Sequence, residues 1–179
     1  MSTWLAEPVA RVRAIIEGSY PASPVTGRSV TAGLIARATY RDDPADLQWP
    51  GLGFHRRYLL QTDETGDRDG DPVNRRAGAA REEWVFTVRI GYTVSPDGRI
   101  ASTTACADED AATQLGHEDH HAIREALRWP AFWGDLTPSV AQIRPVGRVR
   151  TTIVIPRRRV FVSAQFSATL SYAPGSTWT

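Results

Sequence analysis

The chain has 179 residues, a hydrophobic content of 41% and a formal net charge of +1 at pH 7. This length and hydrophobic content suffice for one domain with its own core, and the near-neutral charge argues against a general binder of nucleic acid or membrane surfaces. The charge is uneven, because residues 136–179 contain six arginines and no Asp or Glu. Subtracting these six charges from the total of +1 leaves −5 for residues 1–135. We expect a single domain over 1–179 with an acidic body and a basic C-terminal part.

The single cysteine, Cys106, cannot form an intramolecular disulfide, which fits a reducing compartment. It lies among Ala and Thr, so we interpret it as a small packing residue rather than a nucleophile. The N-terminal residues lack the pattern of a signal peptide, and no window is apolar over the length of a membrane span. We therefore expect no membrane partner.

The first half of the chain predicts one helix, two strands and a loop. Apolar residues recur at helical spacing over 7–18, and alternation over 30–40 and 54–62 is typical of strands. Residues 63–80 are polar and Gly-rich, with almost nothing to bury, and predict a flexible loop that a partner would order. Part of this loop resembles a calcium loop, but Arg76 occupies the position of the closing glutamate, so calcium binding is not expected.

The second half predicts strands around a central helix. Residues 84–94 alternate as a strand, a turn follows at 95–98, and 99–107 return extended. Asp108 and the acids after it predict a helix start, Gly116 is expected to divide that helix, and 118–128 is its stronger half. Two broken strands are expected at 140–144 and 146–155.

The final strand, 159–173, has the clearest pattern. One parity is apolar and the other is rich in Ser, Thr and Gln; the apolar set is Val160, Val162, Ala164, Phe166, Ala168, Leu170 and Tyr172. Strands and helices do not alternate strictly along the chain. The sequence therefore predicts an α+β fold: a mostly antiparallel sheet, an N-terminal helix and one central helix packed on it, and a long C-terminal β-hairpin.

The run His117-Glu118-Asp119-His120-His121 matches the zinc-peptidase pattern H-E-x-x-H. His117 and His121 would be the zinc ligands and Glu118 the base. Asp119 and His120, however, fill positions that are apolar in such helices, and no histidine follows His121 to act as a third ligand. We interpret the run as a solvated helix face and expect no catalytic residue, metal or cofactor, with a small zinc-dependent hydrolase as an alternative.

A basic hairpin is the strongest candidate for an interaction surface. Its arginines, together with two tryptophans in predicted loops, form the candidate set Arg148, Arg150, Arg157, Arg158, Arg159, Trp49 and Trp133. The arginines could protect a sheet edge from aggregation, contact an acidic protein or bind nucleic acid. The tryptophans could cover the core or anchor an interface.

The order of elements resembles a known family. The strand at 84–92, the helix ending in A-I-R-E-A-L at 122–127, the I-x-P-V at 143–146 and the terminal strand V-F-V-S-A-Q-F-S-A-T-L-S-Y resemble the tail terminator (tail completion) proteins of long-tailed bacteriophages and related tail-like particles. This resemblance implies a non-enzymatic virion subunit, assembled in the host cytoplasm, that caps the tail tube as a hexameric ring. Its partners would be copies of itself, the tail tube protein and head-connector proteins, and DNA could pass through the ring.

Two other interpretations remain open besides the hydrolase. A neck or baseplate subunit of the same tail would show a similar order of elements. A DNA-contacting adaptor would use the arginines at 157–159 and bind with a steep salt dependence.

Overall fold

A computed structural model of the chain describes residues 6–18, 36–37, 55–67, 81–96, 105–128, 139–154 and 158–171. Two helices and five strands lie within these residues: α1 Ala6–Gly18, β1 Ala36–Arg37, β2 Arg57–Asp67, β3 Arg81–Thr93, α2 Glu109–Leu127, β4 Ser139–Val154 and β5 Arg159–Ser171. The strands form one sheet in the order β1-β2-β3-β5-β4. All neighbours are antiparallel except β1 and β2, which confirms the predicted α+β fold.

The C-terminal strand β5 lies between β3 and β4 and pairs with both. Its predicted apolar parity is buried over the described residues, from Val160 to Leu170. The facing side chains of β3 are buried with it, and the rings of Phe86 and Phe166 stack with their centroids 5.5 Å apart. The alternating pattern of β5 therefore marks the centre of the core.

The other face of β5, which is rich in Ser, Thr and Gln, is less exposed to solvent than its polar composition predicts. Phe161, Ser167 and Thr169 are buried there. The Arg89 guanidinium lies 4.4 Å from the centroid of the Phe161 ring, and the Ser167 hydroxyl donates to Glu83. Burial of the Arg89 side chain lowers its pKa. Cation–π contact and hydrogen bonding thus compensate partly buried polar groups on this face.

Helix α1 buries the apolar face that its spacing predicts, with Val9, Val12, Ile15 and Ile16 in the core. Helix α2 begins as predicted, because the Asp108 carboxylate accepts a hydrogen bond from Ala111 N at 2.7 Å and caps the first turn. None of the described helices is long and apolar enough to cross a membrane.

The expectation that Gly116 divides this helix is wrong, because α2 is continuous from Glu109 to Leu127. Gly116 instead lies where α2 crosses β5. A Cβ atom at this position would lie 2.8 Å from Val162 Cβ and 3.1 Å from a ring carbon of Tyr92. The missing side chain allows close approach of helix and sheet, a packing role that outweighs the low helix propensity of glycine.

Two strands differ from those predicted. Strand β2 continues to Asp67, paired with β3 through a register shift between Thr62 and Glu64, so the flexible loop predicted at 63–80 does not begin at 63. Residues 68–80 lie outside the described residues, as does most of the strand predicted at 30–40. The broken strands predicted after α2 are one strand, β4, with register shifts and a positive φ of 70° at Gly147.

Replacing Gly116 by alanine should destabilise the protein although alanine favours helices. The added methyl group must displace Val162 or tilt α2, and we expect a loss of about 1–3 kcal/mol in the free energy of unfolding. Urea unfolding followed by circular dichroism measures this loss. Gln114→Ala, at an exposed position of the same helix, is the control and should change stability by less than about 0.5 kcal/mol. Equal or greater stability of Gly116→Ala would contradict the packing role.

Candidate interaction surface

The C-terminal half of β4 exposes apolar side chains. Strand β4 is the last strand of the described sheet, and residues 146–153 are all exposed. The exposed fractions of its three large apolar residues are 38% for Val146, 37% for Val149 and 48% for Ile153, and these are the exposed large hydrophobic residues of the described chain. Such residues grouped on one strand mark a candidate contact surface.

The pairing of β4 with β5 assigns these side chains to faces. Ile153 is opposite Val160 and Thr151 is opposite Val162, so both lie on the side of the sheet that carries the helices. Arg150 is opposite Ser163 on the other side. Val149 lies within the register shift between Val146 and Arg150 and has no partner in β5.

The exposure of this strand results from how far the helix layer reaches. Val140 and Ile143, in the first half of β4, are buried in the core that α2 covers. The second half of β4 extends past this cover, so Ile153 lies on the core side of the sheet without a described helix above it.

The predicted arginines have different environments. Arg148 and Arg150 are exposed on β4. Arg158 occupies the hairpin turn with a φ of 48°, and its Nη1 donates to the carbonyl oxygens of Ser95, at 3.1 Å, and Pro96. Arg158 therefore fixes the hairpin to the end of β3, and Arg159 is half-buried.

The exposed residues of β4 form the candidate contact surface, and we define the β4 edge surface as residues 146–153.

The remaining candidates of this set lie outside the described residues; they are Arg157, Trp49 and Trp133.

Cys106 is buried in the core, as expected of a packing residue. It forms a parallel bridge with Val94 beside the hairpin.

The H-E-x-x-H run does not form a solvated helix face, which corrects that interpretation. His117 and His121 are exposed and Glu118 is half-buried, whereas the intervening Asp119 and His120 are buried. Asp119 and His120, which make the run atypical of a zinc-binding helix, thus face the core. Among the described residues, no group of three His, Cys, Asp or Glu side chains could hold a metal ion.

Asp119 is the centre of a buried polar cluster. Its carboxylate accepts hydrogen bonds from Arg56 Nε at 3.0 Å, Arg56 Nη2 at 2.6 Å and the Tyr92 hydroxyl at 2.8 Å. Burial raises the pKa of Asp119, while the bonds from Arg56 and Tyr92 oppose this rise. Burial together with the neighbouring Asp119 charge raises the pKa of Tyr92. The cluster attaches α2 to β3 and to the residue that precedes β2, and its charges are paired.

Two histidines are held neutral next to this cluster. His120 Nε2 lies 3.0 Å from the Val162 carbonyl oxygen, which can only accept, so Nε2 carries the proton. Burial lowers the pKa of His120 to about 4. Burial and, second, the Arg56 charge lower the pKa of His55 to about 4. The arrangement therefore disfavours protonation of either ring.

Sequence reasoning did not identify this buried cluster. Its members come from three separate segments, and Arg56 precedes a strand whose pattern is apolar. One signal was present: Asp119 and His120 occupy positions that the helical period assigns to the side facing the core. Polar residues at core-facing positions of a helix are consistent with a buried, hydrogen-bonded cluster and do not by themselves indicate a solvated face.

Comparisons with known proteins give matches among solved structures. No protein-family model matches the chain, and no curated protein matches it. Among solved structures that match, one chain comes from the virion of a native gene transfer agent particle. The TM-score is 0.48 at 14% sequence identity, and the alignment covers 95% of this chain and 99% of that chain.

Removing the Asp119 carboxylate should destabilise the protein strongly. Asp119→Ala leaves the Arg56 guanidinium buried without its anion, and we expect a loss of about 3–5 kcal/mol in the free energy of unfolding. Glu125→Ala is the control, because Glu125 forms a half-exposed ion pair with Arg128 at 3.1 Å and should contribute less than about 1 kcal/mol. Similar losses in the two variants, measured by chemical denaturation, would show that the buried cluster has no special role.

Stability should fall when the pH is lowered from about 6.5 to about 4. Over this window the unfolded chain protonates His120, whereas the folded chain, with its His120 pKa lowered to about 4, does not. His120→Gln keeps a donor for the Val162 carbonyl and removes the titration. Denaturation at several pH values should show the slope reduced by up to about 1.4 kcal/mol per pH unit in this variant. Gln114→Ala, at an exposed position of the same helix, removes no titratable group and should keep the wild-type slope.

Proposed function

We propose that this chain is a structural virion subunit of a phage-like tail, of the tail terminator type, and that it has no catalytic role. It assembles into a ring through the β4 edge surface. The observation that carries the proposal is the exposure of Val146, Val149 and Ile153 on the last strand of the described sheet.

An edge strand presents a row of unpaired backbone groups and readily pairs with another chain. Charged side chains on an edge normally oppose such pairing, and Arg148 and Arg150 could serve that purpose here. Exposed apolar residues on the same strand favour the opposite outcome, because they lose contact with water only when another surface covers them. An edge strand that carries both arginines and exposed apolar residues therefore favours contact with a specific partner of opposite charge over permanent exposure to solvent.

The resemblance of the element order to tail terminators supplies the finer role. A subunit of this type would form a hexameric ring on the last ring of the tail tube, stop tail polymerisation and present a surface to the head connector. Its location would be the virion, after assembly in the host cytoplasm, and DNA would pass through the ring. A neck or baseplate subunit of the same tail is the second candidate. Electron microscopy distinguishes the two roles: a terminator should bind to the ends of purified tail tubes, and a neck or baseplate subunit should not.

The hydrolase alternative requires zinc at His117, Glu118 and His121. The exposure of His117 and His121 leaves both rings facing solvent rather than a closed site. Elemental analysis of the purified protein tests this alternative. Stoichiometric zinc that is lost in His117→Ala would overturn the non-enzymatic proposal.

Charged substitutions on the β4 edge surface should prevent assembly without unfolding the subunit. Val149→Asp and Ile153→Asp each place a carboxylate where the contact must exclude water. Native mass spectrometry and negative-stain microscopy should show rings for the wild type and monomers for both variants, with unchanged circular dichroism. Ala10→Asp, at an exposed position of α1, is the control and should assemble.

A strictly monomeric wild type at high concentration, unchanged by tail tube protein, would contradict the proposal. So would rings of normal stability in both β4 variants, since assembly would then use another surface.

A further inference from the structure

The β4 edge surface carries positive charge only, and all acidic residues of the chain lie elsewhere. Arg148 and Arg150 are exposed there, and no acidic residue follows Asp135 in the sequence. We infer that the β4 edge surface of one copy contacts the acidic part of a neighbouring copy, residues 1–135, and not a second β4. This inference rests on the proposed function and names the partner of its contact surface.

The β4 edge surface is accessible to a partner. Strand β4 is the last strand of the described sheet, and residues 146–153 are all exposed. Within the described residues, no carboxylate pairs with the guanidinium of Arg148 or Arg150. The surface therefore offers apolar contact through Val149 and Ile153 together with two positive charges that a carboxylate of another copy can meet.

The charge of the chain is divided between its two parts. Residues 136–179 carry six arginines and no acidic residue, whereas residues 1–135 have a net charge of −5. A contact between the C-terminal parts of two copies would bring arginines together without a carboxylate between them. In a second copy, the carboxylates that can face Arg148 and Arg150 all belong to residues 1–135. Electrostatic complementarity therefore selects the acidic part as the partner.

Pairing of β4 with a second β4 is disfavoured by the positions of the two arginines. Two identical antiparallel strands are related by a two-fold axis, so residues equally far from the centre lie opposite each other. A pair centred at residue 148, 149 or 150 sets Arg148 opposite Arg148, Arg148 opposite Arg150, or Arg150 opposite Arg150. Like charges directly opposite each other destabilise a strand pair.

A contact between β4 and the acidic part joins two different surfaces of the subunit. Such a contact leaves one surface of each kind unused at the two ends of a growing chain, and it closes into a ring when the rotation permits. A contact of β4 with β4 uses the same surface twice and ends at a dimer. The charge distribution is thus of the kind that the proposed ring requires.

Neutral substitution of the arginines gives opposite results for the two kinds of contact. If the arginines face carboxylates, Arg148→Gln/Arg150→Gln loses attraction, and the protein concentration at half-assembly should rise about threefold or more. Arg148→Glu/Arg150→Glu adds repulsion, and the rise should be about tenfold or more. Analytical ultracentrifugation measures both. If β4 faced β4, the Gln variant would lose repulsion and assemble at a lower concentration than the wild type.

Mixing Arg148→Glu/Arg150→Glu with the wild type gives a second test. The acidic part of the variant still accepts β4 of the wild type, but its own β4 cannot continue the assembly. Native mass spectrometry should therefore show fewer closed rings and open chains with one variant copy at the end. A β4–β4 contact would instead pair the Glu edge with the Arg edge, and mixed dimers would form more readily than in either protein alone.

Arg124→Glu/Arg128→Glu is the control, because it makes the same change in net charge at exposed positions of α2. It should assemble no more weakly than the wild type, and circular dichroism should show all variants folded. Equal weakening of the control and the β4 variant would show an effect of net charge alone and would contradict the inference.

The outcomes separate this inference from the proposed function. If the wild type assembles but the Gln variant assembles more readily, or mixing gives mixed dimers, the partner is a second β4. The inference is then wrong, while assembly through the β4 edge surface stands. If the wild type does not assemble at any concentration, the proposed function fails, and the inference fails with it.

Discussion

The close approach of α2 to β5 at Gly116 and Val162 is the contact on which the rest of the structure depends. Since Gly116 has no side chain, the helix lies low enough on the sheet for the next turn to meet the strand. There, His120 donates to the Val162 carbonyl, and Asp119 reaches Tyr92 and Arg56. One small residue thus sets the depth at which a buried hydrogen-bonded network forms.

This network gives the domain a specific arrangement as well as stability. An apolar helix face can slide over a sheet at little cost, because the hydrophobic effect has no direction. The bonds of Asp119 to Arg56 and Tyr92 form at one position of the helix, and losing them would leave buried charges unpaired. The position of α2 in turn decides which part of the sheet the helix covers.

The proposed interface follows from the same geometry. Val140 and Ile143 are buried under the helix layer, whereas Val149 and Ile153, on the same strand, are not. The sheet extends beyond its cover, and the exposed segment combines apolar and basic residues. The proposed interface is thus the part of the sheet that the described helices leave uncovered.

Much of the fold was predictable because its elements follow short-range rules. The alternation in β3 and β5, the helical spacing in α1 and the cap at Asp108 each depend on neighbours in sequence, and each was identified. The division of α2 at Gly116 and the loop start at residue 63 were wrong for one reason. Local propensity disfavours helix at glycine and strand in a polar run, and tertiary packing and pairing with β3 override these preferences.

The sequence by itself determined which residues of each element face the core, since side-chain periodicity is a property of the backbone. It also determined that acidic and basic residues are concentrated in different parts of the chain. Only the tertiary structure decided that Asp119 and His120 are buried, that Arg158 fixes the hairpin turn, and that the second half of β4 is exposed. These facts depend on contacts between segments far apart in sequence, and strand order and helix depth, which create those contacts, are not encoded in any local pattern.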